Sequence, residues 1–246
     1  KKIQTFINAQ HDYEIIFTRG TTEGINLLAY AFSNSGLLKE GDEIIISHLE
    51  HHSNIVPWQM LCERTGAVLK VIPMDENGLL QLDFLEKNLS EKTKVASFNY
   101  VSNALGIVNP IKEMISMIRK NSGAFIIIDG AQAVPHFKID VQKMDCDFFV
   151  FSGHKMYAPT GTGILYGKEE ILNSLQPFHG GGEMIETCSF TKTSYAALPF
   201  KFEAGTPNIA GNIALGAAVD FMNSVGIENI QTHENKLLAS AQQKLL

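Results

Sequence analysis

The sequence predicts an α/β fold built on a mostly parallel sheet of seven strands, with helices on both faces. Two observations favour this fold. Short apolar runs typical of buried strands alternate along the whole chain with segments of helical periodicity. The 246 residues are 45% hydrophobic, which is enough for one large core.

The predicted strands are apolar runs bounded by turn residues, at 14–17, 43–47, 67–72, 94–100, 125–129, 147–151 and 163–166. The predicted helices lie at 21–32, 54–65, 82–89, 110–120 and 208–223, with shorter helices from 141 and from 168. Gly36 and Gly123 end helices, whereas Pro57 and Pro110 lie in first turns, where a missing N–H costs little. Residues 180–199 break the alternation, and we expect them to form a long loop or a hairpin.

Charge and composition exclude several classes of partner. The formal net charge is −6 and the sequence has no basic run, which argues against nucleic acid. No apolar stretch approaches a membrane span, and no signal-peptide pattern occurs, so we expect no membrane partner. The three cysteines, Cys62, Cys146 and Cys188, lack metal-binding spacing. They predict free thiols in a reducing, cytoplasmic compartment and no metal site.

Lys155 closes the stretch Ser152-Gly153-His154-Lys155, which follows a predicted strand and precedes a turn-rich segment. We therefore expect Lys155 at the carboxyl edge of the sheet, where open α/β folds bind ligands. A partly desolvated lysine beside other cationic groups can act as an amine nucleophile. From these residues alone, a solvated loop lysine is the alternative.

Asp129 ends the strand before the lysine strand. An acid and a lysine at neighbouring strand ends suit pyridoxal phosphate (PLP), which forms a Schiff base with a lysine. A carboxylate keeps the ring nitrogen of this cofactor protonated, so that the ring can accept electrons. A helix N-cap or a loop carboxylate is the alternative for Asp129. The pair Asp129 and Lys155 therefore predicts a PLP site.

Three other segments follow predicted strands and carry polar groups. Gly20, Thr21 and Thr22 open a helix and predict a phosphate cradle, with ordinary helix capping as the alternative. His51 could stack on the cofactor ring and relay protons, or it could cap the following helix; zinc binding is disfavoured because adjacent histidines point apart. Asn103 could bond the cofactor's ring hydroxyl or the substrate carboxylate, or belong to a plain turn.

Five motifs carry a family resemblance: Arg19-Gly20-Thr21-Thr22-Glu23-Gly24-Ile25-Asn26, Glu50-His51-His52-Ser53-Asn54-Ile55-Val56-Pro57-Trp58, Asp129-Gly130-Ala131-Gln132, Ser152-Gly153-His154-Lys155 and Phe202-Glu203-Ala204-Gly205-Thr206-Pro207-Asn208. Together they resemble the cysteine desulfurases of the SufS type, which are class V aminotransferase-like proteins of PLP fold type I. The resemblance covers nearly the whole chain. Ser53 departs from the alanine that is usual at its position.

The resemblance implies a role for each matching residue. Lys155 would hold PLP and remove the substrate's α-proton, Asp129 would pair with the ring nitrogen, and His51 would stack on the ring. The remaining contacts would come from Gln132 near the ring hydroxyl, from Asn103 at the substrate carboxylate, from Thr21, Thr22, Ser152 and His154 at the phosphate, and from Thr206 at the phosphate of the partner subunit in a homodimer.

The implied activity is that of a PLP-dependent cysteine desulfurase. Such an enzyme converts L-cysteine to L-alanine and passes the sulfur to an enzyme persulfide for iron–sulfur cluster assembly, with a sulfur-acceptor protein as partner. The alternatives are a selenocysteine lyase, a kynureninase-like hydrolase, an amino-acid epimerase, or a non-catalytic PLP-domain fragment.

The resemblance also implies a domain division. Residues 1–225 would form the PLP-binding large domain, and residues 226–246 would begin the helix that leads to a C-terminal small domain. Helical patterns at residues 1–7 and 236–246 agree with one domain of a longer protein. In the family, an N-terminal arm precedes this domain, and the nucleophilic cysteine and the carboxylate-binding arginine belong to the small domain. We therefore expect the chain alone to be inactive in sulfur transfer.

Overall fold

A seven-stranded sheet forms the centre of the computed structural model, which describes residues 1–245. Its strands are β1 (Ile15–Thr18), β2 (Glu43–Ser47), β3 (Val68–Ile72), β4 (Thr93–Asn99), β5 (Phe125–Asp129), β6 (Phe148–Ser152) and β7 (Gly163–Gly167). Their spatial order is β1-β7-β6-β5-β4-β2-β3. Strand β7 is antiparallel to β1 and β6, and all other neighbours are parallel. The predicted mostly parallel, seven-stranded sheet is confirmed.

The helices lie between the strands as the sequence predicts. They are α1 (Lys2–Ile7), α2 (Thr21–Asn34), α3 (Val56–Thr65), α4 (Leu82–Asn88), α5 (Ile111–Asn121), α6 (Val141–Met144), α7 (Glu169–Ser174), α8 (Ile209–Val225) and α9 (Ile227–Leu245). Helix α3 begins two residues later than predicted, because His52–Asn54 form a separate 3-10 turn. The predicted segment 226–246 is helical up to Leu245. Leu246 lies outside the described residues. The division into two domains stays a prediction.

The core consists of two apolar layers, one on each face of the sheet. Successive strand residues point to opposite faces, so Ile126 and Ile128 of β5 belong to one layer and Ile127 to the other. Helices α5 and α8 cover the first layer, and α2 and α3 cover the second. Each fully buried Ile or Phe contributes about 1.5–3 kcal/mol to the free energy of unfolding. The predicted helices on both faces are confirmed.

Residues 180–199 form the predicted hairpin. Strands β8 (Ile185–Cys188) and β9 (Thr193–Tyr195) pair antiparallel outside the main sheet. Their side chains are mostly exposed, so the hairpin lies on the protein surface. Within residues 1–245, each helix is too short or too polar to cross a membrane.

The topology brings the predicted site residues to one edge of the sheet. Strands β2, β4, β5 and β6 are mutually parallel, and β1 has the same direction because it and β6 are both antiparallel to β7. Their carboxyl ends therefore meet at a common edge.

Candidate active site

Asp129 and Lys155 follow neighbouring parallel strands. Asp129 is the last residue of β5 and pairs with Val150 of β6. Lys155 closes the 3-10 turn Gly153–Lys155 directly after β6 and is half-buried. Asp129 is 4% exposed, and its Oδ1 accepts a hydrogen bond of 2.9 Å from the backbone N–H of Ala131. Both residues lie where the sequence predicts.

The environment of Asp129 sets its charge. Burial raises the pKa of Asp129 to about 6, although the Ala131 hydrogen bond and the positive charge of Lys155 both lower it. A buried carboxylate is stable only beside a positive partner. Asp129 is therefore suited to hold a cationic group of a ligand at this edge.

The start of α2 forms a cradle. Gly20 has φ 151°, and a Cβ added there would lie 3.0 Å from Ser152 Oγ, so the close approach of the two loops requires glycine. Ser152 Oγ accepts a hydrogen bond of 2.9 Å from the backbone N–H of Thr21 and lies 2.9 Å from Thr21 Oγ1. Thr21 is buried, and its hydroxyl helps to hold Ser152 in place.

A cavity of about 410 Å³ opens above this cradle. It is lined by Arg19, Gly20, Thr22, Glu23, Asn26, Ser152, His154 and Phe178. Hydroxyl groups, an imidazole and the positive end of a 14-residue helix converge on it. Glu23 also faces the cavity, but its carboxylate is bound by the Arg19 backbone N–H and by the Arg19 guanidinium, with Nη2 3.0 Å from Oε1. The arrangement suits a phosphate group.

His51 lies beyond the carboxyl end of β2. Its Nδ1 accepts a hydrogen bond of 3.1 Å from the backbone N–H of Ser53, so it caps the 3-10 turn, the alternative that the sequence left open. Partial burial, the charge of Lys155 and the neighbouring His52 all lower the pKa of His51. The positive charge of Lys155 therefore acts on the capping histidine. Capping and a site role are therefore compatible.

The other predicted residues lie around this centre. Gln132 is half-buried, three residues after Asp129, and Asn103 is exposed in the loop after β4. Thr206 is exposed in a second cavity, of about 480 Å³, which shares Arg19, Glu23 and Phe178 with the first. The functional roles of these residues stay predictions.

The sequence did not identify Glu50 as a buried carboxyl group, but only as part of a motif. Glu50 is 8% exposed, and its Oε2 accepts hydrogen bonds from Asn54 Nδ2 at 2.6 Å and from the backbone N–H of Asn99 at 2.8 Å. Ser47 Oγ is bonded to the other carboxyl oxygen. Burial raises the pKa of Glu50 to about 8, and Asp129 contributes to this rise, although the three hydrogen bonds lower it. An acid three residues after a buried strand and four residues before an asparagine was the available signal.

The thiols differ in exposure. Cys146 is buried, and burial raises its pKa far above the ordinary value; Cys62 is half-buried, and its pKa is also raised by burial. Cys188 is exposed at the end of β8. In the part of the chain that the structure describes, no group of three or more His, Cys, Asp or Glu side chains could hold a metal ion.

Two relatives illustrate the sequence similarity. A cysteine desulfurase of Cronobacter sakazakii is 54% identical over 235 residues, which is 95% of this chain and 57% of the relative. A cysteine desulfurase of Escherichia coli strain K12 is 51% identical over all 246 residues, and 60% of it is covered. The chain thus spans 57–60% of the length of these curated relatives. Their shared name does not specify a subgroup, so the SufS type stays a prediction.

Two solved structures show the same fold. The cysteine desulfurase CsdA (S-sulfonic acid) from Escherichia coli superposes with a TM-score of 0.95 at 38% identity, covering 99% of this chain and 61% of the other. The apo cysteine desulfurase from Thermococcus onnurineus NA1 gives 0.94 at 36% identity, covering 99% and 60%. These similarities confirm the predicted fold type.

The family assignment rests on the entire sequence. The sequence model named "Aminotransferase class-V" matches residues 1–246. The five motifs that carry the resemblance lie within this match. Four of them contain Asp129, Lys155, His51 and the start of α2, which lie at one edge of the sheet. The chain belongs to the aminotransferase class-V family.

Proposed function

We propose that the protein is a PLP-dependent cysteine desulfurase, which converts L-cysteine to L-alanine and transfers the sulfur to a thiol as a persulfide. The observation that carries this proposal is the pairing of a buried Asp129 with Lys155 at the ends of adjacent parallel strands, beside a cavity suited to phosphate. The similarity to cysteine desulfurases from two bacteria supports the choice of reaction.

The residues present fit PLP. The cofactor has a phosphate and a ring nitrogen that is protonated when active. The α2 cradle, with Thr22, Ser152 and His154 on its cavity, would hold the phosphate, and the close contact of Gly20 with Ser152 keeps side-chain atoms out of that space. Asp129 would hold the ring nitrogen, and its pKa of about 6 leaves it ionised at neutral pH. Lys155 would hold the cofactor covalently through Nζ.

When bound, PLP supplies an electron sink that stabilises negative charge on the substrate's α-carbon. The protein's own groups supply the proton chemistry. Lys155, once free as an amine, removes the α-proton and can return it to the product. Asp129 remains charged and keeps its partner protonated. His51 would cover the cofactor from the β2 loop, and Asn103 and Gln132 would orient polar groups of the substrate and the ring.

We propose L-cysteine as the substrate because the relatives are cysteine desulfurases. A selenocysteine lyase, a kynureninase-like hydrolase, an epimerase and a non-catalytic PLP domain are the competing functions. Product analysis separates the first of these from a desulfurase. A desulfurase forms alanine and a persulfide from L-cysteine, whereas a selenocysteine lyase releases selenium from selenocysteine and no sulfur from L-cysteine. Racemised substrate marks an epimerase.

We further propose a cytoplasmic homodimer that passes sulfur to an acceptor protein. An exposed apolar stripe on α8 supports the dimer, because Ile209 is 58% exposed and Ile213 is 71% exposed beside the segment that carries Thr206. A second copy on this stripe would bring Thr206 to the phosphate of its partner. Free thiols at all three cysteines agree with a reducing compartment.

Borohydride reduction followed by peptide mapping tests the cofactor assignment. The protein is loaded with PLP, reduced and digested, and we expect the pyridoxyl label on Lys155. Lys155→Ala should lose the label, whereas Lys201→Ala, which removes another half-buried lysine, should keep it. A label on a different lysine, or none in folded protein, would contradict the proposal.

A further inference from the structure

Ser53 contacts His51 through two of its own atoms. The Ser53 backbone N–H donates to Nδ1 of His51 over 3.1 Å, and Ser53 Oγ lies 2.8 Å from the same nitrogen. Ser53 is 9% exposed, so this hydroxyl has little access to water. We propose that Ser53 is a positioning residue whose hydroxyl lets His51 carry its ring proton on either nitrogen.

The backbone contact alone favours one state of the ring. An amide N–H can only donate, so Nδ1 of His51 must accept, and the proton of the neutral ring then lies on Nε2. In this tautomer Nε2 is a donor and cannot take up a proton. A histidine held only by the backbone of Ser53 would therefore be a cap and not a base.

The hydroxyl supplies the second state. Ser53 Oγ can both donate and accept, so it can accept the Nδ1–H of His51 when the proton lies on Nδ1. Nε2 is then free to take a proton, and the resulting imidazolium keeps its Nδ1–H bound to Ser53 Oγ. An alanine at this position would remove this acceptor and leave Nδ1–H with only the amide N–H of residue 53, which cannot accept. Ser53 thus makes proton uptake at Nε2 possible without moving the ring.

The surrounding charges make this acceptor important. The charged or titratable groups that act on His51 are Lys155, from the loop after β6, and His52, from its own turn. Both disfavour a second proton on the ring, and partial burial disfavours it further. A hydrogen bond to the protonated form opposes these effects, because bonding to a charged form stabilises that form.

The consequence for the reaction rests on the proposed function. In that reaction, a proton taken by Nε2 from a substrate or thiol group can be returned from the same atom, and the ring ends as it began. The hydrogen bond itself does not depend on the reaction, so it can be tested on the protein without cofactor.

Nitrogen-15 NMR of histidine-labelled protein tests the proposal. His51 signals are assigned by their loss in His51→Gln, and the tautomer and pKa are measured during a pH titration. In wild type we expect both neutral tautomers. In Ser53→Ala we expect only the Nε2–H form and a pKa of His51 lower by about half a unit or more, because a hydrogen bond to the imidazolium is lost. Ser53→Thr should restore both properties.

Ser102→Ala is the matched control, since it removes another buried serine hydroxyl, in the loop after β4. It should leave the His51 titration unchanged. Identical tautomers and pKa in wild type and Ser53→Ala would overturn the proposal. If Ser53→Ala does not fold, Ser53→Cys replaces it, because a thiol is a weak acceptor and should lower the pKa in the same direction. Failure to label Lys155 would overturn the proposed function and leave this result standing.

Discussion

At the scale of single residues, the site depends on which carboxyl groups are buried and what surrounds them. Asp129 and Glu50 are both buried near the carboxyl edge of the sheet, and the charge of Asp129 disfavours the charge of Glu50. Lys155 lies near Asp129 and favours its ionised form. Because Glu50 keeps its proton to a higher pH, with a pKa of about 8 against about 6, Asp129 carries the negative charge at neutral pH.

Asp129→Asn should impair chemistry and spare the fold. A neutral amide cannot keep a ring nitrogen protonated, so we expect exchange of the substrate's α-proton to slow by on the order of 10²-fold or more. The measurement is α-proton exchange of bound L-alanine followed by proton NMR, with PLP at saturation. Equal exchange rates in wild type and variant would show that Asp129 has another role.

Asp147→Asn provides the contrast. Asp147 is also buried, but it lies directly before β6, where its Oδ1 accepts from Arg119 Nη2 at 2.7 Å and its Oδ2 from the backbone N–H of Ile126 at 2.8 Å. Its loss should lower the free energy of unfolding by on the order of 2 kcal/mol. The α-proton exchange rate of the folded variant should stay near that of wild type.

The location of a site residue could be predicted from the sequence where the residue directly follows or ends a strand. Asp129 and Lys155 follow apolar runs, and parallel pairing brings such positions together. Glu50 and Ser53 were not recognised as separate groups, because their contacts with Asn99 and His51 depend on side-chain rotamers and loop geometry. No periodic pattern encodes such contacts.

At the scale of elements, hydrophobic periodicity predicted the strands and helices, and capping explains the shifted boundary. The sequence placed the start of α3 at residue 54, but the side chain of Asn54 is committed to Glu50 and to Trp58, whose Nε1 donates to Asn54 Oδ1 at 2.8 Å. Ser97 Oγ contacts the same oxygen. Because its side chain makes these contacts, Asn54 does not cap α3, and the contacts join the β2 loop to α3 and to β4.

Glu50→Gln should change how stability depends on pH. The pKa of Glu50 is about 8 in the folded chain and 4.5 in its ordinary state, so between these values the folded chain holds a proton that the unfolded chain releases. The free energy of unfolding should therefore fall as pH rises from about 4.5 to about 8. The neutral amide of the variant mimics the protonated acid and removes this slope, so the variant should be more stable at pH 8 by on the order of 2 kcal/mol.

Urea unfolding between about pH 5 and pH 8, followed by the fluorescence of the single tryptophan, Trp58, measures this difference. Glu43→Gln is the control at the other end of β2. Burial raises the pKa of Glu43, but Lys70, 2.8 Å from its carboxylate, and hydrogen bonds from Thr93 and Ser90 together lower it more, so the net shift is downward. Its contribution to stability is therefore present above pH 4.5 and lost in acid, the opposite sign. A wild-type stability that does not fall towards pH 8 would show that Glu50 is ionised.

At the scale of the whole molecule, the sequence predicted the sheet and its two covered faces because both follow from the alternation of apolar strand segments with helical segments. The antiparallel direction of β7 was not assigned, since a strand's direction depends on the path of the connecting loop. The assembly state is likewise set by surface shape. Apolar side chains left exposed on α8, such as Ile213, agree with the proposed contact between copies.

Ile213→Glu should separate the proposed dimer and weaken phosphate binding. Ile213 is 71% exposed, so the charge is harmless in a monomer, but a second copy packed on α8 would bury it without a partner. We expect the dimer dissociation constant to rise by on the order of tenfold or more. Binding of PLP should weaken in parallel, because Thr206 of one subunit could no longer reach the phosphate of the other. Sedimentation velocity and a PLP titration measure the two effects.

Leu79→Glu is the matched control: Leu79 is 54% exposed in the turn after β3, so the same charge there should alter neither property. A wild-type monomer, or an Ile213→Glu variant that dimerises as wild type does, would show that α8 is not the contact between copies.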